Sequence, residues 1–312
     1  MEHHILGLHH VTAIAGDAQR NYHFYTQLLG QRLVKKTVNF DDPETYHFYF
    51  GTEHGDPGTI MTFFPWGKGV RGGRRGVGQA TEVGYSVPAG SLDFWKDRMD
   101  AHHILYNNVY EKFGDQYLTV LDPDGLKLEL TVPQQQDLRP VWKGGGIDEK
   151  HAIKGFHQVT LTTTKIEATA KVLTGLLGYT LWKQEVNRYR FVHPFAENAA
   201  YIDLVEVPGE AAGISGSGSV HHIAFRVKTQ ETLLHFREII SESGLHITEK
   251  IDRNYFFSLY FREPGGVLFE IATDEPGFMI DENLKTLGEE LKLPAQYEAY
   301  RERLETVLPK LS

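Results

Sequence analysis

The chain of 312 residues contains no cysteine. A disulfide framework, a thiol nucleophile and a cysteine-based metal site are therefore excluded. Basic residues are outnumbered, with 32 Lys and Arg against 41 Asp and Glu, and the net charge of −9 disfavours nucleic acid as a partner. No apolar run approaches the ~20 residues that a membrane-spanning helix needs, so no membrane partner is expected. The segment Met1-Glu2-His3-His4 lacks the basic patch and apolar stretch of a secretory leader, and the expected location is the cytoplasm. What is present is the composition of a soluble globular protein, 41% hydrophobic and 23% charged. The length suggests two domains of ordinary size, each able to bury a core.

The sequence repeats itself. Residues 7–36 and 155–184 align at a constant offset of 148 with 10 identities in 30 positions. Gly7-Leu8-His9-His10-Val11-Thr12 matches Gly155-Phe156-His157-Gln158-Val159-Thr160, and Thr26, Leu28, Leu29, Gly30, Leu33 and Lys35 match Thr174, Leu176, Leu177, Gly178, Leu181 and Lys183. Asp122-Pro123-Asp124-Gly125 leading to Glu129 likewise resembles Arg262-Glu263-Pro264-Gly265-Gly266 leading to Glu270. The halves are repeats, and each half divides into two short modules.

Each module has one plan. A short strand around Leu8–Ala13 precedes an N-cap at Asp17, then Phe24, Tyr25, Leu28 and Leu29 at helical spacing, with Gly30 as the stop. Strands follow near 32–38, 45–50 and 58–64. Later modules start near Thr81, Gly155 and Val220, with helices near 91–101, 166–177 and 230–243. The fold class is α+β: four βαβββ modules in two homologous halves, paired into open barrel-like cups. The expected division is an N-terminal domain over 1–132, a linker over 133–153, a C-terminal domain over 154–274 and a helical tail over 275–312. The tail carries Tyr297, Arg301, Leu304 and Leu308 as an amphipathic helix for packing on the body or on a second copy in a homo-oligomer. The Gly-rich segment Gly67–Gly78, with Arg71, Arg74 and Arg75, matches no phosphate-loop pattern and is expected to be a mobile connection.

Two strands begin with paired histidines, His9-His10 and His221-His222. Side chains alternate along a strand, so one histidine of each pair is expected to face a given side, and alternation alone leaves open which. Glu270 lies in the otherwise apolar run Val267-Leu268-Phe269-Glu270-Ile271-Ala272. Burying a carboxylate there costs several kcal/mol unless a cation compensates it. Two imidazoles and one carboxylate are the donors of the facial site that leaves positions open on Fe(II). A lone histidine at a strand start is more often structural; the recurrence in two repeats is what favours a metal. Of the remaining histidines, His3 and His4 sit at a terminus, His102, His103 and His235 lie on or beside surface helices, and His23, His47, His54, His151, His193 and His246 have no partner identifiable from sequence.

The whole chain resembles the vicinal oxygen chelate superfamily, which includes glyoxalases and extradiol dioxygenases. Within it the chain is similar to bacterial ring-cleaving dioxygenases of the hydroquinone type. The resemblance rests on Leu8-His9-His10-Val11-Thr12, Gly16-Asp17-Ala18-Gln19, Asn21-Tyr22-His23-Phe24-Tyr25, Val220-His221-His222-Ile223-Ala224-Phe225 and Arg262-Glu263-Pro264-Gly265-Gly266-Val267-Leu268-Phe269-Glu270-Ile271-Ala272. It implies that His10, His222 and Glu270 bind Fe(II), that His221, Arg253 and Tyr260 are catalytic, and that His9 and Thr12 line the substrate pocket. The implied function is an extradiol-type dioxygenase inserting O2 into hydroquinone- or catechol-like aromatics. Two alternatives remain. A glyoxalase-like isomerase needs a fourth protein ligand, and Thr62 stands where the second carboxylate would be. A non-catalytic binder of aromatic ligands would not need the triad.

By the same repeats, Gln158, Glu82 and Glu129 stand where His10, His222 and Glu270 do. That set lacks imidazole, and the second cup is expected to be empty of iron or structural.

Overall fold

The structure, a computed structural model, describes residues 3–67 and 69–312. Met1 and Glu2 of the terminal segment, and Lys68 of the Gly67–Gly78 segment, lie outside the described residues. Four modules of one plan follow each other. The first comprises β1 (Leu8–Ala15), α1 (Ala18–His23), β2 (Arg32–Val38), β3 (Tyr46–Gly51) and β4 (Ile60–Pro65). The second comprises β5 (Gln79–Ser86), α2 (Leu92–Ala101), β6 (Tyr110–Lys112), β7 (Asp115–Leu121) and β8 (Lys127–Val132). The third comprises β9 (Gly155–Thr163), α3 (Glu167–Gly175), β10 (Thr180–Glu185), β11 (Arg188–Val192) and β12 (Tyr201–Glu206). The fourth comprises β13 (Val220–Val227), α4 (Gln230–Glu242), β14 (Ile251–Asp252), β15 (Phe256–Arg262) and β16 (Leu268–Pro276). A tail ends in α5 (Arg301–Val307). Among the described residues no helix is long and apolar enough to cross a membrane.

The helices form where the caps and periodicity ask for them. The Asp17 side chain accepts from the Arg20 amide to open α1, which widens into a π-helical turn over Phe24–Leu28 before Gly30 turns the chain at φ 67°. Helix α4 buries Leu233, Phe236 and Ile240 on one face.

The modules pair across the chain, first with fourth and second with third. They build two curled eight-stranded sheets, ordered β14-β15-β16-β13-β1-β4-β3-β2 and β10-β11-β12-β9-β5-β8-β7-β6. The antiparallel joint β1·β13 closes the first, and β5·β9 the second. Each joint carries two bulges. Leu8 pairs with Phe225 and His10 with Ala224, so His9 is an extra residue in β1; Thr12 pairs with His222 and Ala13 with Val220, so His221 is an extra residue in β13. The other joint repeats this at Thr81 and His157.

The connections differ from the sequence expectation. Gly67–Gly78 is not a free connection: Gly73, Arg74 and Val77 donate backbone bonds to Ser217, Ile214 and Ala211 of the corresponding connection in the other half. The 133–153 segment is packed as well, with Val141, Ile147, Ala152 and Ile153 buried and Arg139 donating to the carbonyls of Gly58 and Phe156. The tail packs on the first module. Leu304 and Leu308 are buried, Tyr297 Oη donates to the Phe40 carbonyl at 2.6 Å, and Tyr46 Oη donates to the Pro309 carbonyl at 3.0 Å.

Candidate metal centre

The first sheet brings His10 from β1, His222 from β13 and Glu270 from β16 into one buried cluster whose ligand atoms lie within 4.8 Å of one another. His10 Nε2 and His222 Nε2 stand 3.1 Å and 2.8 Å from Glu270 Oε2 and 3.3 Å from each other. Burial alone would push the Glu270 carboxyl up; only positive charge at His10 and His222 brings it below the usual carboxylate range. Neither Glu270 oxygen receives a hydrogen bond.

The bulge histidine decides the tautomer of His10. His9 Nε2 lies 3.1 Å from the Thr273 carbonyl oxygen, which only accepts, so that nitrogen carries the proton. His9 Nδ1 is then bare and accepts from His10 Nδ1 at 2.9 Å. His10 Nε2 therefore turns an unprotonated lone pair into the cluster. Burial, reinforced by His10, pushes the His9 imidazole down to about 3, so it stays neutral in this role. His221 Nδ1 stands 2.7 Å from His222 Nδ1 in the corresponding arrangement. Bare lone pairs and a carboxylate facing one another at these distances repel unless a cation lies among them, so the residues fit a divalent metal.

Glu270 itself is fully buried, while His10 and His222 line a cavity of about 380 Å³. Its walls are aromatic, with Phe40, Tyr49, Phe64, Trp66, Phe256 and Tyr260. Thr12, His221, Arg253 and Tyr260 line it. His9 does not. It lines a separate cavity with Tyr255, Asp274 and Phe278, because the bulge turns it behind His10. Arg253 Nε donates to Tyr260 Oη at 3.3 Å. Burial, then the Glu270 charge, push the Tyr260 hydroxyl above its ordinary value, so it remains a proton donor. His47, for which sequence offered no partner, also lines the cavity.

The mouth is formed by Asn39, Phe40, Asp41 and Asp42, and Tyr297 of the tail holds this loop through the Phe40 carbonyl. Tyr297→Phe should loosen it. A net hydrogen bond contributes about 1 kcal/mol, so the affinity of the cavity for a flat aromatic ligand should fall roughly fivefold in equilibrium titrations.

The family model of the glyoxalase/bleomycin resistance protein/dioxygenase superfamily matches residues 7–130 and 155–271. The chain belongs to this superfamily. It is 47% identical to the "Putative ring-cleaving dioxygenase MhqE" of Bacillus subtilis (strain 168), over 98% of this chain and 99% of that one. It is 36% identical to the chlorohydroquinone/hydroquinone 1,2-dioxygenase of Sphingobium indicum, over 96% of this chain and 94% of that one. A crystal structure of a "putative dioxygenase" from Bacillus subtilis subsp. subtilis str. 168 superposes with a TM-score of 0.95 at 43% identity, covering 100% of this chain and 99% of that chain.

The two joints differ in chemistry. In the second joint Gly84 and Gln158 are paired, Glu82 lies opposite Thr160, and Glu129 lies beside Gly84, as the repeats indicated. Their centre holds an ammonium group. Lys112 Nζ donates to Glu129 at 2.5 Å and lies 3.6 Å from Glu82, while Gln158 donates to Glu129 at 2.6 Å. Arg188 and Lys127 pair with Glu82, and Arg190 with Asp203 and Asp115. Every carboxylate there already has a cationic side chain beside it. Sequence comparison located Glu82 and Glu129 but missed Lys112, Asp115, Arg190 and Asp203, whose strands β6, β7, β11 and β12 carry no shared motif.

Proposed function

We propose that the chain is a mononuclear non-haem Fe(II) dioxygenase that cleaves hydroquinone- or catechol-like aromatic rings with O2. The observation that carries this reading is the buried His10–His222–Glu270 cluster opening onto an aromatic-walled cavity that contains the Arg253–Tyr260 pair. Iron would be held by His10 Nε2, His222 Nε2 and the Glu270 carboxylate, and when bound it would bring the ring hydroxyl and O2 together on its open positions. The names of the relatives support ring cleavage as the reaction class. The extradiol label is not carried forward: hydroquinone has no vicinal diol, so a 1,2-cleavage of it falls beside a single hydroxyl-bearing carbon.

The chain's own groups divide the work. His9 keeps His10 Nε2 bare through Nδ1. Phe64, Trp66 and Phe256 accept the flat ring and exclude water. Arg253 supplies a fixed positive charge for oxygen that gains negative charge as the ring opens. Tyr260 holds its proton and can donate it at Oη; with His221 Nδ1 engaged by His222 Nδ1, His221 Nε2 carries the proton of that ring at the cavity edge and can donate to a bound oxygen.

The isomerase alternative needs a closed shell of four protein ligands, and Thr62 rather than a carboxylate stands in the place related to Glu270. The simple-binder alternative leaves the triad without a task. Arg253→Ala and Tyr260→Phe separate these readings. Both should retain wild-type iron, and turnover per iron with hydroquinone should fall about 10²-fold or more, as for loss of a donor to developing charge. Unchanged turnover in both would remove them from the chemistry.

A further inference from the structure

The first joint has an internal twofold relation. Exchanging β1 with β13 carries His10 onto His222 and Thr12 onto Ala224. Thr12 pairs with Thr62 in β4, and Ala224 pairs with Glu270 in β16. Thr62 is thus the counterpart of Glu270, and the side of the cluster opposite the carboxylate is furnished by hydroxyl groups instead of a fourth ligand.

Those hydroxyls belong to a chain of hydrogen bonds with one possible direction. Thr62 Oγ1 donates to Thr12 Oγ1 at 2.8 Å, which uses its only proton. His47 Nε2, 3.0 Å from Thr62 Oγ1, must then be the donor. In the neutral ring Nδ1 is left to accept, and Tyr49 Oη donates to it at 2.9 Å. Tyr49 and Phe64 hold the imidazole between them, with ring centroids 4.1 and 4.4 Å away. Thr12 and Thr62 are fully buried. The Thr12 proton makes no hydrogen bond among the described residues, and Thr12 lines the cavity directly across the joint from His222. A buried hydroxyl donor without an acceptor is costly unless a ligand supplies one.

We infer that His47 is a positioning residue that, through Thr62, aims the Thr12 hydroxyl proton into the cavity as the donor to a phenolate oxygen bound beside His222. This rests on the ring-cleavage reading and adds to it how the ring oxygen is held. Burial keeps His47 well below its ordinary value, so the ring remains neutral and the direction of the chain does not reverse near neutral pH. Without His47, the Thr62 oxygen loses its donor and Thr62 is free to turn its own proton elsewhere, leaving Thr12 unfixed.

The test uses the iron-loaded protein under anaerobic conditions with 4-nitrocatechol, whose visible absorption band reports the ionisation of the bound ring. His47→Phe and Thr62→Val should keep wild-type iron content. They should bind the probe about tenfold more weakly, the loss of one hydrogen bond to a charged oxygen, and shift its band toward the protonated form. His47→Gln, whose amide can again donate to Thr62, should recover part of both effects. Wild-type affinity and band in His47→Phe and Thr62→Val would overturn the inference. Loss of iron in either would assign the chain to the metal ligands and overturn it equally. Failure of the wild type to bind the probe would reject the ring-cleavage reading itself, and this inference with it; wild-type binding with unaffected variants rejects this inference alone.

Discussion

Glu270→Gln should leave a folded protein that has lost most of its iron. The substitution keeps volume and shape in a fully buried position while removing the charge that compensates the cation. It also replaces one carboxylate oxygen by an amide NH2 group that faces His10 Nε2 and His222 Nε2, at 3.1 and 2.8 Å in the wild type. Outer-shell changes at metal sites typically cost about 10–100-fold in affinity. Loss of an anionic ligand should exceed that range, and iron content after gel filtration should fall below a tenth of wild type. Folding should be spared, because an uncompensated buried carboxylate is itself a cost to the metal-free chain. Metal analysis beside circular dichroism reads both effects. Wild-type iron in folded Glu270→Gln would sink the ligand assignment.

Lys112→Met should have the largest effect on stability. Lys112 is buried and lies between Glu129 and Glu82, in the second joint where the first has the His10–His222–Glu270 cluster. Methionine fills similar space without the charge. Breaking a buried pair by removing one partner typically costs about 3–5 kcal/mol, because the other charge stays behind. Urea unfolding of the iron-loaded protein should show that loss, with iron content unchanged. The effect has a pH direction. Burial already pushes the Glu129 carboxyl up with Lys112 in place, and removing the ammonium raises it further. A carboxyl whose folded value is raised contributes stability that is present below its unfolded value and lost as pH rises through the folded one. The deficit of Lys112→Met should therefore shrink toward pH 5 and grow toward pH 8. An equal deficit at both pH values would mean that lost packing, not charge, is responsible.

The modular plan was legible because it is local: an N-cap at Asp17, apolar residues at helical spacing and a stop at Gly30 recur with the repeat. The clustering of His10, His222 and Glu270 was legible because a glutamate in an apolar strand and two histidine pairs are chemically conspicuous. The position of His9 was not. Alternation assigns neighbouring side chains to opposite faces, but the bulges at His9 and His221 break the alternation where the joint closes, and only the register of β1 on β13 reveals them. His47 was illegible for a different reason. Its partners Tyr49, Thr62 and Thr12 lie on three strands, and Thr62 and Thr12 are distant in sequence, so nothing near His47 distinguishes it from a surface histidine. Lys112 and Arg190 were missed because charged residues on short strands ordinarily face solvent, whereas here a second curled sheet encloses them.

The central claim is one Fe(II) centre per chain, made by the first and fourth modules, that opens an aromatic ring with O2. Its most direct test is oxygen uptake by anaerobically reconstituted protein given hydroquinone, with iron measured in the same sample. The account predicts one iron per chain and one O2 consumed for each hydroquinone whose aromatic absorbance disappears, both abolished in Glu270→Gln. Two irons per chain, or full iron loading with no oxygen uptake on hydroquinone or catechol, would contradict it.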